Sequence, residues 1–293
     1  MQGLRKWSIP LAVAVTTIVV TAGGVSAQPQ GAATDYYLSI GDSLSIGVQP
    51  GADGVDRSTD QGYDHDLLPG LQIADTFRGR SLRLTELGCS GETTTTMIHG
   101  GICAYPNAPS QLAAATRFLA AHRGHVPLVT LAIGANDVDG CATLTGIDLN
   151  CIQQGLATIR ANLTTIVTAL KQADPGVDTQ WVGLNEYDPF LAAFLQGATG
   201  QQLAQQSLQL LAQLNQILAA DYGPAGFRVA DVAGAFRTTE SNPVPLPGVG
   251  QVPQDVASIC QLTYMCVPAP VGPDVHPDPD GYQMMARAIA GTF

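Results

Sequence analysis

The sequence has few charged residues, and few of these are positive. Lys and Arg together number 13 against 24 Asp and Glu, so the formal net charge is −11. An acidic surface repels both the phosphate backbone of nucleic acids and anionic lipid headgroups. The composition therefore argues against a nucleic-acid role, and we expect no nucleic-acid partner.

Long apolar runs are also missing, apart from one near the N-terminus. The run Ile9–Val20 follows the basic residues Arg5 and Lys6, and small residues lead up to Ala27. Its length falls short of the roughly 20 residues that span a bilayer. We interpret residues 1–27 as a signal peptide that is cleaved after Ala27. The alternative is an uncleaved N-terminal anchor.

Cleavage predicts a secreted protein, extracellular or attached to the cell wall, without a stable membrane span. The remaining residues, 28–293, fit the size of one domain, and their elements alternate to the end without an internal repeat. We expect a monomer built from this single domain.

Cys-x-x-Cys pairs are absent, which argues against a zinc site. We expect no metal and no other cofactor. The sequence contains 6 cysteines, all after the predicted signal peptide, and an even number in an exported chain indicates disulfides. They fall into three pairs that are close in sequence, which predicts the disulfides Cys89–Cys103, Cys141–Cys151 and Cys260–Cys266.

Apolar strand-like and helix-like segments alternate after residue 36, which predicts an α/β fold with a parallel sheet covered on both faces. The predicted strands are 36–40, 81–87, 126–133, 179–184 and 227–232. The predicted helices are 110–122, 152–173, 201–221 and 281–290. The segments 47–69 and 234–273 are rich in Asp or in Pro and Gly, and we interpret both as irregular surface loops.

Four polar segments lie next to these elements. Residues 41–45 (Gly-Asp-Ser-Leu-Ser), 90–93 (Ser-Gly-Glu-Thr) and 134–137 (Gly-Ala-Asn-Asp) each follow a predicted strand, and 274–277 (Asp-Val-His-Pro) precedes the last helix. Because the carboxyl ends of parallel strands share one edge, these segments are expected to meet in one crevice. No Gly-x-Ser-x-Gly turn occurs, which counts against the α/β-hydrolase fold.

The residue types in these segments match the needs of ester hydrolysis. Such a site needs a hydroxyl nucleophile, a base that takes its proton, and donors that hold the oxyanion. Ser43 is the candidate nucleophile and His276 the candidate base. The candidate oxyanion donors are the backbone N–H groups of Ser43 and Gly91 and the side-chain amide of Asn136. Asp42 and Asp137 are interpreted as side chains that organise their loops.

The four segments resemble those of the SGNH (GDSL) hydrolases, a family of esterases, lipases, lysophospholipases and carbohydrate acetylesterases. The resemblance covers the chain from about residue 36 to its end. It implies a flavodoxin-like three-layer α/β/α sandwich with a central parallel sheet of about five strands. It also implies the same roles for Ser43, Gly91, Asn136 and His276. The Cys-Ser-Gly-x-Thr-Thr run at 89–94 and the three disulfides are similar to secreted actinobacterial members.

The last segment departs from the family pattern. The family usually has Asp three positions before the catalytic His, where this sequence has Pro273. Three arrangements remain open for orienting His276: the carboxylate of Asp274, which we favour as the third catalytic residue, the carbonyl oxygen of Pro273, or the carboxylate of Asp278 or Asp280.

The sequence predicts a secreted serine hydrolase that cleaves carboxylic esters of acyl chains or lipids through an acyl-enzyme at Ser43. One alternative is an acetylesterase acting on acetylated polysaccharide, and another is a non-catalytic surface binding module. The apolar segment 187–195 follows the fourth strand. It could bind an acyl chain or pack against the next helix.

Overall fold

The computed structural model describes residues 33–173, 176 and 178–293. The segment predicted to be a signal peptide, residues 1–27, lies outside the described residues. Five parallel strands form the central sheet: β1 (Ala33–Gly41), β2 (Arg80–Glu86), β3 (Leu128–Ala132), β4 (Gln180–Leu184) and β5 (Arg228–Ala230). Their order in the sheet is β2-β1-β3-β4-β5.

Helices cover both faces of this sheet. They are α1 (Tyr63–Phe77), α2 (Thr94–His99), α3 (Gln111–Ala121), α4 (Leu149–Ala173), α5 (Ala198–Tyr222), α6 (Val232–Ala235), α7 (Gln254–Leu262) and α8 (Pro279–Ala290). Short 3-10 helices lie at Ser43–Ile46, Ala135–Asp137, Asp139–Cys141, Pro189–Gln196 and Tyr264–Cys266. Three small hairpins pair Gln49–Pro50 with Asp56–Arg57, Ala142–Thr143 with Gly146–Ile147, and Pro243–Leu246 with Gly250–Pro253.

The protein has two hydrophobic cores, and successive side chains of β1 belong to different ones. Tyr37 packs in one core with Tyr63 of α1 and Tyr282 of α8. The next residue, Leu38, belongs to the second core, which is formed mainly by α3, α4 and α5. Strand β3 is buried along its whole length, as expected for a parallel strand covered on both faces. The predicted fold, a parallel sheet of five strands between two helical layers, is confirmed.

The strand order determines where a ligand site can form. An order of 2-1-3-4-5 reverses its direction of winding between β1 and β3, and ligands of such sheets bind at the carboxyl ends of the strands near this point. β1 ends at Gly41 and β3 ends at Ala132. Two of the four polar segments, 41–45 and 134–137, follow these two ends directly.

The interpretation of residues 47–69 as an irregular loop is wrong in its last part, because α1 begins at Tyr63. Pro69 lies inside this helix, and proline removes a helical N–H donor and disfavours a helix interior. Tyr63 is fully buried and Leu67 is 7% exposed. Burial of these side chains in the core outweighs the local cost of the proline.

Residues 234–273 are also more ordered than a surface loop. They contain a β-hairpin and helix α7, and Val256 and Ile259 of α7 are almost fully buried. The sequence did not predict α7 because the surrounding segment is rich in Pro and Gly and the helix has only nine residues. Among the described residues, no helix is long and apolar enough to cross a membrane.

The three predicted disulfides, Cys89–Cys103, Cys141–Cys151 and Cys260–Cys266, are present in the structure. Each closes a short loop, so each is expected to stabilise the fold by about 2–3 kcal/mol at most. The first holds the segment that contains Gly91, and the last holds the 3-10 helix at 264–266. The disulfides therefore anchor segments around the carboxyl edge of the sheet.

Candidate active site

Ser43 lies in a tight turn at the end of β1. Gly41 has φ +130, and a Cβ added to it would lie 1.8 Å from the carbonyl oxygen of Ala132. Only glycine fits this close approach of β1 and β3. The Asp42 carboxylate then accepts a hydrogen bond from the Leu44 N–H at 3.0 Å, and Ser43 opens the 3-10 helix. Backbone N–H groups at the start of a helix have no intrahelical acceptor, and they favour negative charge nearby.

Gln111, which no sequence motif indicated, holds this turn from the side. Its amide oxygen accepts from the Gly41 N–H at 2.7 Å, and its amide nitrogen donates to the Gly41 carbonyl at 2.8 Å. The same nitrogen donates to the Glu92 carboxylate at 3.0 Å. Gln111 and Glu92 are both almost fully buried. One side chain thus ties the turn of Ser43 to the segment of Gly91.

Asn136 is tied to the same segment. Its side-chain amide donates to the Glu92 carbonyl at 3.1 Å, which leaves a second amide proton available. Asp137 accepts from the N–H and the hydroxyl of Thr94 at 2.8 and 2.7 Å. Together with the bond from the Leu44 N–H to Asp42, these bonds confirm the interpretation of Asp42 and Asp137 as residues that organise their loops. Gly91 and Asn136 line the same cavity as Ser43.

If Asn136 is an oxyanion donor, Asn136→Ala should lower kcat on a soluble ester by about 10²–10³ and leave KM nearly unchanged, because the amide acts mainly on the transition state. The exposed Asn150, which does not line the cavity, provides the control Asn150→Ala. Steady-state kinetics and thermal unfolding of both variants test this. A loss smaller than about tenfold in a folded variant would contradict the role.

His276 lies in the loop before α8 and is 7% exposed. Its ring nitrogen Nδ1 is 2.9 Å from the Asp274 carboxylate oxygen Oδ1, and this oxygen also accepts from the His276 N–H at 2.9 Å. Of the three arrangements left open by the sequence, the Asp274 carboxylate is the one in contact with the ring. Asp278 instead caps α8 by accepting from the Gly281 N–H, and Asp280 lies in the first turn of that helix.

Asp274 and His276 each shift the pKa of the other. Burial acts to lower the pKa of His276, but the hydrogen bond and charge of Asp274 outweigh it and the pKa is raised. Burial acts to raise the pKa of Asp274, but the hydrogen bond and charge of His276 outweigh it and the pKa is lowered. The contact therefore favours a carboxylate beside an imidazolium, which is the charge pair that forms when a histidine acts as a base.

The cavity at the carboxyl edge has a volume of about 280 Å³, near the lower end for small-molecule sites. Ser43, Gly91, Asn136 and His276 all line it. Among the described residues, no hydrogen bond joins the Ser43 hydroxyl to His276. Contacts between nucleophile and base are often long in enzymes without substrate and shorten when it binds.

One side of the cavity is apolar. Its aliphatic and aromatic lining comes from the hairpin at 142–147, α4, the 3-10 helix at 189–196 and α5, and consists of Ile147, Ile152, Leu156, Phe190, Leu210, Leu211 and Leu214. The apolar segment 187–195 lies partly at the cavity and partly in the protein interior. Phe190 faces the cavity, whereas Leu191, Ala192 and Ala193 are buried in the protein.

The sequence did not predict that several carboxyl groups are buried on the cavity wall. Burial raises the pKa of Asp42 and that of Asp188 to about 7, and it raises the pKa of Glu186 well above its usual range. Asp188 accepts from the Ser207 hydroxyl at 2.7 Å. Because these groups hold protons up to near neutral pH, the cavity carries less negative charge than its number of carboxyls suggests.

A 2-1-3-4-5 sheet with these four segments at its carboxyl edge is the architecture of the SGNH hydrolase class. The chain belongs to the GDSL-like lipase/acylhydrolase family, whose sequence profile matches residues 39–284. This membership supports ester hydrolysis as the chemistry of the protein.

Solved structures show the same fold at low sequence identity. The chain is similar to an extracellular lipase from Streptomyces rimosus, with 19% identity, a TM-score of 0.57 and coverage of 88% of this chain and 100% of the lipase. It is also similar to a phospholipase A1 from Streptomyces albidoflavus, with 17% identity, a TM-score of 0.52 and coverage of 89% and 100%. A search of curated protein sequences gives no match.

Proposed function

We propose that the protein is a secreted serine esterase that cleaves carboxylic esters of acyl chains through an acyl-enzyme at Ser43. The observation that carries the proposal is the arrangement of His276: it lines the cavity together with Ser43, while its Nδ1 contacts the Asp274 carboxylate at 2.9 Å. With Nδ1–H donating to Asp274, the neutral ring keeps its lone pair on Nε2. That nitrogen can then take the proton of a nucleophile.

In the first half-reaction the Ser43 oxygen attacks the ester carbonyl carbon while its proton passes to His276 Nε2. The carbonyl oxygen becomes an oxyanion, held by the N–H groups of Ser43 and Gly91 and by the Asn136 amide. The carbon–oxygen bond to the alcohol then breaks, and the alcohol leaves with the proton from His276. Water repeats the sequence on the acyl-enzyme, with His276 again as base, and releases the carboxylic acid.

The apolar side of the cavity supports an acyl chain longer than acetyl as the substrate group. Each buried methylene is worth about 0.8 kcal/mol, which corresponds to roughly a fourfold gain per carbon in kcat/KM. Nitrophenyl esters of increasing acyl length should therefore show kcat/KM rising from acetate until the cavity is filled. Best activity on acetate, without a rise, would favour the alternative of a carbohydrate acetylesterase.

A variant that fills the apolar side of the cavity provides a second test of acyl-chain binding. Leu211→Trp should lower kcat/KM on the longer esters by at least about tenfold while acetate is hydrolysed nearly as before, because the bulk occupies the space of the chain and not that of the ester. Leu195, which is 37% exposed and does not line the cavity, provides the control Leu195→Trp. Equal losses on all esters in Leu211→Trp would contradict acyl binding at this wall.

Secretion is supported by the three disulfides, since such bonds persist in oxidising compartments. The alternative of a non-catalytic binding module predicts no turnover with any ester. Measurable hydrolysis that disappears in Ser43→Ala would exclude that alternative.

A further inference from the structure

A second carboxylate lies beside the candidate base. Asp56 Oδ2 is 3.9 Å from His276 Nδ1, the same ring nitrogen that Asp274 contacts at 2.9 Å. Asp56 also lines the cavity, and its side chain is 42% exposed. It comes from a segment more than 200 positions away in the chain, so the sequence pattern around His276 could not indicate it.

The segment that carries Asp56 is held against the loop of His276. Asp56 belongs to the hairpin in which Gln49 pairs with Arg57, and the Gln49 amide oxygen accepts from the Tyr264 hydroxyl at 2.9 Å. The backbone of Tyr264 in turn bonds the loop at two points: its N–H donates to the His276 carbonyl, and its carbonyl accepts from the Asp274 N–H. Tyr264 therefore connects the hairpin directly to both residues.

The two carboxyl groups lie close together: one oxygen of each and a ring nitrogen of His276 all lie within 4.8 Å of one another. Burial raises the pKa of Asp56, and the negative charge of Asp274 raises it further. When His276 is neutral, the two carboxylates therefore repel each other. When His276 takes a proton, its positive charge attracts both of them, so the arrangement is more favourable after proton transfer than before it.

We infer that Asp56 is a positioning residue that, together with Asp274, forms a two-carboxylate partner for the imidazolium of His276. The inference rests on the proposed function, in which His276 is protonated in each transition state. An interaction that is stronger in the transition state than in the ground state accelerates the reaction. Asp274 orients the ring through its hydrogen bond, whereas Asp56 acts through its charge.

The other titratable groups that act on His276 are Asp42 and Asp139, both on the cavity wall. They remain in place when Asp56 is replaced. In a plot of kcat/KM against pH, the rise at low pH (the acid limb) reports the pKa of the base in the free enzyme. Removing one negative charge near His276 lowers that pKa, so the acid limb should move to lower pH.

The test compares kcat/KM against pH for the wild-type protein and Asp56→Asn on one nitrophenyl ester. Asp56→Asn should lower the plateau by about tenfold and move the acid limb down by about half to one pH unit, since a charge about 4 Å away in partly exposed surroundings has an effect of this order. Asp56→Glu, which keeps the charge, should have a plateau kcat/KM and an acid-limb pH close to those of the wild-type protein.

Two control variants separate charge from loop stability. Asp53→Asn removes the ion pair with Arg57 in the same hairpin, and Asp60→Asn removes an exposed charge of the same segment. Both should keep the wild-type acid limb. If Asp53→Asn reproduced the shift of Asp56→Asn, or if Asp56→Asn lost activity without moving the limb, the role of the charge would be overturned.

Failure of the inference is distinguishable from failure of the proposed function. If Asp56→Asn has the wild-type plateau kcat/KM and the wild-type acid limb while Ser43→Ala is inactive, the inference alone is overturned. Activity retained in Ser43→Ala overturns the proposed function, and the inference with it.

Discussion

Replacing Ser43 with Ala is expected to lower kcat on any ester by about 10⁴-fold or more, with the fold intact. The hydroxyl is the attacking group in the proposed reaction, so the acyl-enzyme at this position cannot form without it. Nucleophile and base act as a unit, so His276→Ala should cause a loss of similar size, and the double variant should be little worse than either single variant.

Structural damage is not expected in Ser43→Ala. Among the described residues, the Ser43 hydroxyl makes no hydrogen bond, so the substitution leaves no buried partner unsatisfied. Steady-state kinetics gives the loss, and thermal unfolding gives the control for the fold. A serine-reactive phosphonate should label the wild-type protein and not Ser43→Ala. Turnover above about a hundredth of wild type in a folded Ser43→Ala would refute the assignment.

Replacing Asp274 with Ala should have the second largest effect, a loss of about 10³–10⁴ in kcat. The carboxylate holds the ring in the tautomer that leaves Nε2 free, and it stabilises the imidazolium. Asp274→Asn should lose less. The oxygen that contacts the ring also accepts from the His276 N–H, and an amide oxygen can keep both bonds without the charge. Both variants lack the charge, so the difference between them measures the contribution of the hydrogen bonds, whereas the loss in Asp274→Asn measures that of the negative charge.

The competing arrangements predict different results. If the Pro273 carbonyl were the acceptor, Asp274→Ala should change kcat by less than about tenfold. Asp278→Ala provides the control, since Asp278 caps α8: it should reduce stability by about 1 kcal/mol and leave kcat nearly unchanged. A large loss of kcat in Asp278→Ala, with Asp274→Ala active, would refute the assignment of Asp274.

The sequence was sufficient for the regular part of the fold because the pattern there is local. The fully apolar run of β3 is typical of a parallel strand buried on both faces, and Ser110 is a favoured residue for starting a helix, as it does for α3. Helix α1 was missed because Pro69 and several Asp residues outweigh its apolar positions locally. Packing against α8 and β2 stabilises it in the folded protein.

The sequence by itself determined which segments meet at the active edge, because parallel strands joined by helices bring their carboxyl ends together. It also determined the disulfide pairs, since each joins cysteines that are close in the chain. Only the tertiary structure decided which carboxylate contacts His276, and that Gln111 holds the turn of Ser43. It alone brought Asp56 to the ring. These contacts depend on side-chain directions and on the approach of segments distant in sequence, which packing of the whole domain sets and no local pattern records.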